Sequence, residues 1–500
     1  MSLNRFLKIS VSATAVLTAG AASADVTAMD VWAKLKEQVG SAAEITVGSE
    51  SMSGNTLTLS DIVFAASDAE TTATVDLGEL ILTENGDGTV TMDPADLITV
   101  TVSQIGSEDA DRVVVLIAST GATTVISGTL DEMAYQSRAD RYTFTIDEVL
   151  EDGVEVPVDL LINLNNFVAD QTMMTGPETL SGEFSFTADS LDMLLGGDDD
   201  GVIFNLSSQI GNLMGGGRVT APAGDTSKMS EAEIIERTVL DFNYSAGTSA
   251  TVLSSIEEGL ETLITTSAEL TNFTFSFDKD HIGIGGGAGN YKFALSGGEV
   301  PFPLDAQLSL LGYEFRMPIS KTEEPAPFTA AINLTDLAPN DMIWMMADPM
   351  GAMPHDPVTA QIDISGTMTL FEDLATLSDE NSGMVEMDTP AEVNSVTLNN
   401  LFISALGATL SGTGSFELDN TDLTTFAGMP RPMGSLNLEG KGLNGLIDRL
   451  SAMGMIPEEQ LTGARFMMGM FATVIGDDHL SSTVEVNAEG HVIINGQRIQ

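Results

Sequence analysis

Residues 273–277 read Phe-Thr-Phe-Ser-Phe, and a short polar segment then leads to Ile282-Gly-Ile284. Apolar side chains at every second position predict a half-buried β-strand, because successive side chains of a strand point to opposite faces. Phe273, Phe275 and Phe277 therefore share one face. We regard these three phenylalanines as part of a candidate apolar ligand surface.

The same alternation recurs along the whole chain and predicts a mainly β protein with antiparallel strands. The other alternating pairs are Leu57/Leu59, Val75/Leu77, Leu80/Leu82, Val90/Met92, Phe184/Phe186, Val396/Leu398, Phe416/Leu418, Leu436/Leu438, Val484/Val486 and Val492/Ile494. Gly78 falls where the alternation slips by one residue, which predicts a β-bulge. The segment Glu84–Gly88 supplies the Asn-Gly and Asp-Gly pairs that favour a hairpin turn.

Three segments have helical rather than alternating spacing. The first runs from Thr27 to Val39 and opens with a capping-box pattern, Thr27-x-x-Asp30. The second is a mid-chain insert, where Ser230-x-x-Glu233 precedes one helix and a second apolar stripe predicts another. That second stripe comprises Val252, Ile256, Leu260, Leu263 and Ile264.

The third helical segment lies near the C-terminus and contains two apolar stripes. Pro457 is expected to open its second helix. The stripes comprise Leu443, Leu446, Ile447, Leu450 and Met453, then Leu461, Ala464, Met468 and Phe471. We interpret this methionine-rich face as packing against a sheet. An adaptable apolar binding surface is the alternative, with Met467, Met468 and Phe471 as its candidate residues.

These patterns predict an α+β chain that is mainly β. We expect a signal peptide at 1–24 and a β-rich region at 25–225. A helical insert at 226–268 separates it from a second β-rich region at 269–420. A strand-helix-helix-hairpin region at 421–500 closes the chain.

The first 24 residues have the pattern of a secretory signal. Arg5 and Lys8 form a positive segment, residues 9–19 are modestly apolar, and Ala22-Ser-Ala24 is a processing site before Asp25. We therefore expect cleavage between Ala24 and Asp25 and a periplasmic location. The chain contains no Cys, so it is not expected to be a lipoprotein, and no later stretch predicts a transmembrane helix.

The charge balance bears on the class of partner. The chain carries 73 acidic and 19 basic residues, a formal net charge of −54. Nucleic acid is not expected as a partner, because phosphate binding needs a basic patch.

Recognisable catalytic patterns are absent from the sequence. There is no G-x-S-x-G motif, and the four histidines have no zinc-ligand spacing. The segment Asp477-Asp478-His479 is interpreted as a polar loop, and the glycines of Gly283–Gly289 as a flexible turn. Asp198–Asp200 lacks the graded ligand spacing of a calcium loop, and calcium binding there is left open without being predicted. We therefore expect neither catalysis, nor a cofactor, nor a bound metal.

Two family resemblances add to this picture. The block Trp344-Met-Met-Ala-Asp348-Pro349, with Pro354-His-Asp-Pro357 after it, is similar to a block in alphaproteobacterial proteins grouped as domain of unknown function 2125. Met353 stands where that family has Leu, and His355 where it has Arg. The segments after Asp25 and from Met455 to Gln500 also resemble it. The family has no assigned activity, so the resemblance implies a compartment rather than a mechanism.

A more distant resemblance is to AsmA-type envelope proteins, carried by Leu410-Ser-Gly412-Thr-Gly414-Ser-Phe416 and Gly434-Ser-Leu-Asn-Leu438. It implies an elongated, curved antiparallel sheet with an apolar concave side that shields lipid acyl chains.

The leading hypothesis is an exported, soluble periplasmic envelope protein without catalytic activity. It either binds or shields lipid or scaffolds envelope assembly, with lipid or an envelope protein as its partner. Two alternatives stay open. An outer-membrane β-barrel fits the export signal, although two Trp and five Tyr are few for two interfacial girdles. A hydrolase that uses only carboxylates is the other.

Overall fold

The computed structural model describes residues 26–39, 43–68, 70–105, 111–199, 201–223, 229–374 and 391–499. Most of these residues lie in strands, and the described strand pairs are antiparallel. This confirms the prediction of a mainly β chain. The predicted cleavage site, Ala24 and Asp25, lies outside the described residues. Among the helices described, none has both the length and the apolar character needed to cross a bilayer.

The chain forms two compact units. The N-terminal unit comprises residues up to Ser267 together with Gly297–Glu299, and the C-terminal unit comprises Ala268–Ser296 and Val300 onward. The described helices are α1 (Ala28–Val39), α2 (Glu231–Glu236), α3 (Asp341–Ala347), α4 (Leu443–Ala452) and α5 (Glu458–Phe471).

The N-terminal unit contains long strands that each pair with several neighbours. Its strands are β1 (Glu44–Ser53), β2 (Thr56–Ser67), β3 (Thr71–Glu84), β4 (Val90–Pro94), β5 (Leu97–Gln104), β6 (Arg112–Thr120), β7 (Thr123–Gly128), β8 (Glu132–Glu151), β9 (Val154–Glu155), β10 (Val158–Thr175), β11 (Thr179–Asp199), β12 (Val202–Pro222), β13 (Val239–Ala246), β14 (Ser249–Glu257) and β15 (Leu260–Ala268). β3 pairs with β2, β4 and β5, and β8 pairs with β6, β7 and β10.

The C-terminal unit is a meander in which most strands pair with the next along the chain. Its strands are β16 (Leu270–Phe277), β17 (His281–Gly297), β18 (Leu304–Pro318), β19 (Ala326–Pro339), β20 (Val358–Leu370), β21 (Ala391–Ala405), β22 (Ala408–Asp419), β23 (Arg431–Lys441), β24 (Thr473–Gly476), β25 (His479–Val486), β26 (Val492–Ile494) and β27 (Gln497–Arg498). The order β16 to β23 is unbroken, and β23 then pairs with β25.

Helix α1 covers a buried core in the N-terminal unit. Its predicted capping box is present, since Asp30 N–H donates to Thr27 Oγ1 at 3.2 Å and Thr27 N–H donates to Asp30 Oδ2 at 3.0 Å. The helix packs on β1, β2 and β3. Its buried side chains Val31, Trp32 and Leu35 belong to one apolar cluster with residues of the sheet. The sheet contributes Leu57, Leu59, Ile62, Leu80, Leu82, Val90, Met92, Ile126, Met133, Ala134 and Tyr135.

The predicted bulge is present where β2 pairs with β3. The register shifts on both sides of the pair Ile62 and Gly78. Gly78 has φ of +62°, a conformation that glycine adopts without a steric penalty. The predicted turn at Glu84–Gly88 likewise joins β3 to β4.

The predicted mid-chain helical insert is mostly wrong. Helix α2 forms with the expected capping box between Ser230 and Glu233. The second predicted helix does not form, because Ser249–Glu257 and Leu260–Ala268 are strands. Apolar residues four apart fit a period of two as well as one of 3.6. The turn Glu258-Gly259, with φ of +51° and +82°, ends the first strand where a helix would have continued.

The two C-terminal helices form as predicted, and Pro457 precedes the first residue of α5. The apolar stripes, which were expected to pack against a sheet, are partly covered but do not form a buried core. No residue of α4 is buried, and the predicted stripe of α5 is only half-buried.

Candidate functional site

One face of the C-terminal sheet is apolar across successive strands. Residues paired directly across antiparallel strands have their side chains on the same face, so the register defines that face. One row comprises Phe273, Gly286, Tyr313, Ile332, Ile362, Leu401, Gly412 and Leu438, and the next comprises Phe275, Ile284, Phe315, Ala330, Ile364, Leu398, Gly414 and Leu436. We call these two rows the apolar face. Every member is aliphatic, aromatic or glycine.

The opposite face of the same strands is polar. Thr274, Glu314 and Asp363 lie in one of its rows, and Ser276, Arg316 and Ser365 in the next. The C-terminal sheet therefore has one apolar and one polar face, an alternation that is common in antiparallel sheets.

Large side chains of the apolar face remain open to solvent. Ile332 is 60% exposed, and Ile284, Tyr313, Phe315 and Ile362 are also exposed. Phe273, Phe275 and Phe277 on β16 are half-buried. Side chains of this type are normally buried when a second layer packs on a sheet. These residues thus form an extended apolar surface that water reaches.

Glycines in this face accommodate side chains from neighbouring strands. A Cβ atom at Gly286 would lie 2.9 Å from Tyr313 Oη, and one at Gly412 would lie 2.6 Å from Leu438 Cδ2. Next to the two rows, Gly366 follows Ile364 on the same side of β20, and a Cβ there would lie 2.7 Å from two ring atoms of Phe328. The large side chains of neighbouring strands therefore lie flat over these glycines and fill the space that a Cβ atom would take.

The glycines of 283–289 belong to this arrangement, so their interpretation as a flexible turn is wrong. They lie within β17, paired with β16 on one side and β18 on the other. Glycine weakens an isolated strand, but it permits close approach of neighbouring groups. Here Tyr313 occupies the space that a side chain at Gly286 would fill.

The polar face has a shallow depression of 430 Å³ at this point. Its polar lining includes Thr274, Ser276, Glu314 and Arg316. A second depression, of 520 Å³, lies on the N-terminal unit beside an ion pair in which Arg218 Nη2 is 2.6 Å from Asp241 Oδ2. Among the described residues, no cluster of three or more His, Asp or Glu side chains has metal-binding geometry. The apolar face is therefore the more distinctive surface.

The predicted candidate residues fall into two separate groups. Phe273, Phe275 and Phe277 share one face of β16, the first strand of the C-terminal meander. Met467, Met468 and Phe471 lie on α5, whose last residue accepts a hydrogen bond from Ser482 Oγ on β25. The strand order places β16 and β25 at opposite ends of the meander, so the two groups do not form one site.

Sequence reasoning missed Tyr313, Phe315 and Ile332 as members of the apolar face. Tyr313-Glu-Phe315 has the same alternation as the phenylalanine strand, which was an available signal. The pairing partners are not visible in the sequence, because alternation specifies a face but not which strands are neighbours.

The Trp344–His355 block comprises the end of α3 and the loop that follows it, and contacts within the block hold the loop against the helix. Asp348 is buried, and its Oδ2 accepts a hydrogen bond from Met353 N–H at 2.6 Å. The backbone N–H groups of Met353 and Ala352 hold the pKa of Asp348 below its usual range. His355 stacks on Trp344, with ring centroids 4.4 Å apart. These contacts give the block a structural role in joining α3 to β20.

The segment Asp477-Asp478-His479 also has a structural role. The N–H groups of Asn444 and Gly445, at the start of α4, donate to Asp478 at 3.1 and 2.9 Å. Burial opposes ionisation of Asp478, but the Gly445 N–H and the Asn444 side chain outweigh it and lower its pKa. His479 Nε2 lies 2.5 Å from Glu439 Oε1.

Comparisons with protein-family models, with curated proteins and with solved structures find no match to this chain.

Proposed function

We propose that this protein binds the acyl chains of a lipid on the apolar face of its C-terminal unit. The observation that carries the proposal is the exposure of five neighbouring large side chains of that face, on β17 to β20: Ile284, Tyr313, Phe315, Ile332 and Ile362. An acyl chain would cover these exposed side chains with a second apolar layer.

The energetics of such a complex are favourable. Burial of a methylene group contributes about 0.8 kcal/mol, so a chain of about ten methylenes contributes roughly 8 kcal/mol before the cost of association. An apolar chain has no hydrogen-bonding groups that need partners, and the side chains of the two rows are apolar apart from the Tyr313 hydroxyl.

The proposed cellular setting follows from the sequence. The N-terminal signal pattern favours export to the periplasm, and the resemblance to AsmA-type envelope proteins implies a sheet that shields acyl chains. We place the protein in the cell envelope as a non-catalytic lipid-binding protein. Carboxylates elsewhere on the chain favour its dispersal in water.

Native mass spectrometry of residues 25–500, purified without detergent and followed by organic extraction, tests this function. We expect phospholipid at a defined stoichiometry. The triple variant Tyr313→Ser, Phe315→Ser, Ile332→Ser should lose most of it, because these exposed side chains supply the contact area.

A matched control changes the opposite face of the same strands. The variant Glu314→Ser, Arg316→Ser, Ala331→Ser removes one acid and one base, so it preserves the net charge, and it should retain the lipid. A lipid-free mass for the unaltered protein would contradict the proposal and favour an envelope scaffold.

A further inference from the structure

A second apolar surface lies in the C-terminal unit, on α5 and the strand that follows it. Its members are Phe466, Met467 and Met470 on α5 and Val474 and Ile475 on β24, and all five are exposed. Phe466 is 65% exposed and Val474 is 71% exposed. We call these five residues the α5–β24 patch.

The patch is held in place by the other side of the same elements. Leu461, Ala464 and Met468 on α5 are half-buried. The Phe471 carbonyl, at the end of the helix, accepts hydrogen bonds from Ser482 Oγ at 2.6 Å and from Asn495 Nδ2 at 3.0 Å. β24 pairs with β25. The apolar side chains are thus presented to solvent by anchored secondary structure.

The charge distribution indicates what covers the patch. Residues 460–476 include no Asp or Glu, although α5 begins with Glu458-Glu459 and Asp477-Asp478 follow β24. Their one charged residue is Arg465, which forms an ion pair with Asp448. A second copy of the protein carries the same net charge of −54, so contact between copies is opposed by repulsion. A zwitterionic bilayer surface has no such net charge.

We infer that the α5–β24 patch docks the protein onto the surface of a lipid bilayer. A helix with one anchored face and an opposite face rich in Phe and Met lies parallel to the membrane, with its apolar side chains in the boundary between headgroups and acyl chains. Gly463 and Gly469 have open space where a Cβ would lie, which lets the helix backbone approach the lipid closely. This inference concerns a different surface from the apolar face and does not rest on acyl-chain binding there.

Flotation with phosphatidylcholine vesicles tests the inference on residues 25–500. We expect the protein to float with the vesicles. The variant Phe466→Ser, Met467→Ser, Met470→Ser should weaken binding at least tenfold. Its matched control is Met345→Ser, Met346→Ser, which removes two exposed methionines from α3 and should bind vesicles as the unaltered protein does.

A fluorescence measurement gives a second readout. The two native tryptophans, Trp32 and Trp344, are buried. The variant Phe466→Trp therefore adds an exposed reporter, whose emission should shift to shorter wavelength when phosphatidylcholine vesicles are added. Absence of both the shift and flotation overturns the inference. A patch variant that floats as well as its control also overturns it.

The test separates this inference from the proposed function. The patch variant should still co-purify phospholipid, whereas the Tyr313, Phe315 and Ile332 variant should still float with vesicles. If the unaltered protein self-associates without vesicles and the patch variant does not, the patch is a contact between copies and bilayer docking is overturned.

Discussion

The sheet beneath α1 and the apolar face of the C-terminal unit are built from the same alternating pattern, yet their side chains have very different exposures. Leu59, beneath α1, is 0% exposed, whereas Ile332 is 60% exposed. Both belong to antiparallel strands with an apolar side and a more polar side. The difference is that the first sheet has a helix packed on it.

Helix α1 shows what such a cover requires. Trp32 is buried, and its Nε1–H donates to Glu50 Oε1 at 2.9 Å, so its one polar atom is satisfied. Full burial of a large apolar side chain contributes about 1.5–3 kcal/mol. The exposed side chains of the C-terminal sheet are only partly removed from water. A bound apolar molecule would bury them further and so gain the rest of this free energy.

The largest loss of stability is expected when the packing of α1 on its sheet is disrupted. Trp32→Ala should lower the free energy of unfolding by about 3–5 kcal/mol, because it leaves a cavity between α1 and the sheet. Urea denaturation followed by circular dichroism measures this loss. Met29→Ala, at an exposed position of the same helix, is the control and should change stability little. A loss below about 1 kcal/mol for Trp32→Ala would mean that α1 does not stabilise this core.

A smaller effect is expected from filling a glycine position in the uncovered sheet. At Gly366 a Cβ would lie 2.1 Å from the Ser395 carbonyl oxygen and would also contact the Phe328 ring. Gly366→Ala should therefore destabilise the C-terminal unit by about 1–3 kcal/mol in the same denaturation experiment. Gly463→Ala, in open space on α5, should instead stabilise it by about 0.5–1 kcal/mol. Equal effects at the two positions would contradict the close packing at Gly366.

Truncation of an uncovered side chain should cost less again. Ile332→Ala should lower the free energy of unfolding of the lipid-free protein by less than about 1 kcal/mol. Leu59→Ala, in the covered sheet, should cost about 2–5 kcal/mol. Denaturation of both variants tests the comparison directly. Similar losses would show that Ile332 is covered in solution.

The smallest effect concerns a polar loop of the C-terminal unit, which is held by hydrogen bonds rather than by a covering helix. Asp422 accepts hydrogen bonds from Thr425 Oγ1 at 2.7 Å and from Thr424 Oγ1 at 3.0 Å. The side-chain and backbone donors of Thr425, followed by those of Thr424, lower the pKa of Asp422 from 3.8 to about 2.

A carboxyl group with a lowered pKa in the folded state contributes stability above its ordinary pKa, and this contribution is lost as the pH falls through the folded value. Asp422→Asn should therefore melt at a slightly lower temperature than the unaltered protein at pH 6. The two melting temperatures should converge near pH 2. A difference in melting temperature that is independent of pH would rule out this role of the carboxylate.

The sequence was most informative where a local signal specifies a local structure. The capping residues of α1, the bulge at Gly78, the turn at Glu84–Gly88 and the start of α5 after Pro457 were all predicted correctly. It failed at residues 252–264, where apolar residues four apart fit two periods. It failed also at 283–289, where glycines of a paired strand resemble those of a loop.

The candidate site could be predicted only in part. Phe273, Phe275 and Phe277 were identified from alternation alone. Their neighbours Tyr313 and Ile332 depend on pairing between strands that are separated in sequence. Whether a second layer covers the face is a tertiary property, which alternation does not encode. The sequence also did not show that Met467 is exposed. Both sides of α5 are apolar, so the pattern does not indicate which side packs on the protein.

The unbroken strand order from β16 to β23 has a consequence for how the C-terminal unit assembles. Each of these strands pairs with the strand that follows it in the chain, so the contacts are between neighbouring segments, and the entropy lost in closing the loops rises only slowly with their length. Pairing of neighbouring strands is therefore sufficient to build this part of the sheet, and no earlier pairing has to open for the next to form. Since the chain contains no Cys, disulfide exchange does not slow this pairing.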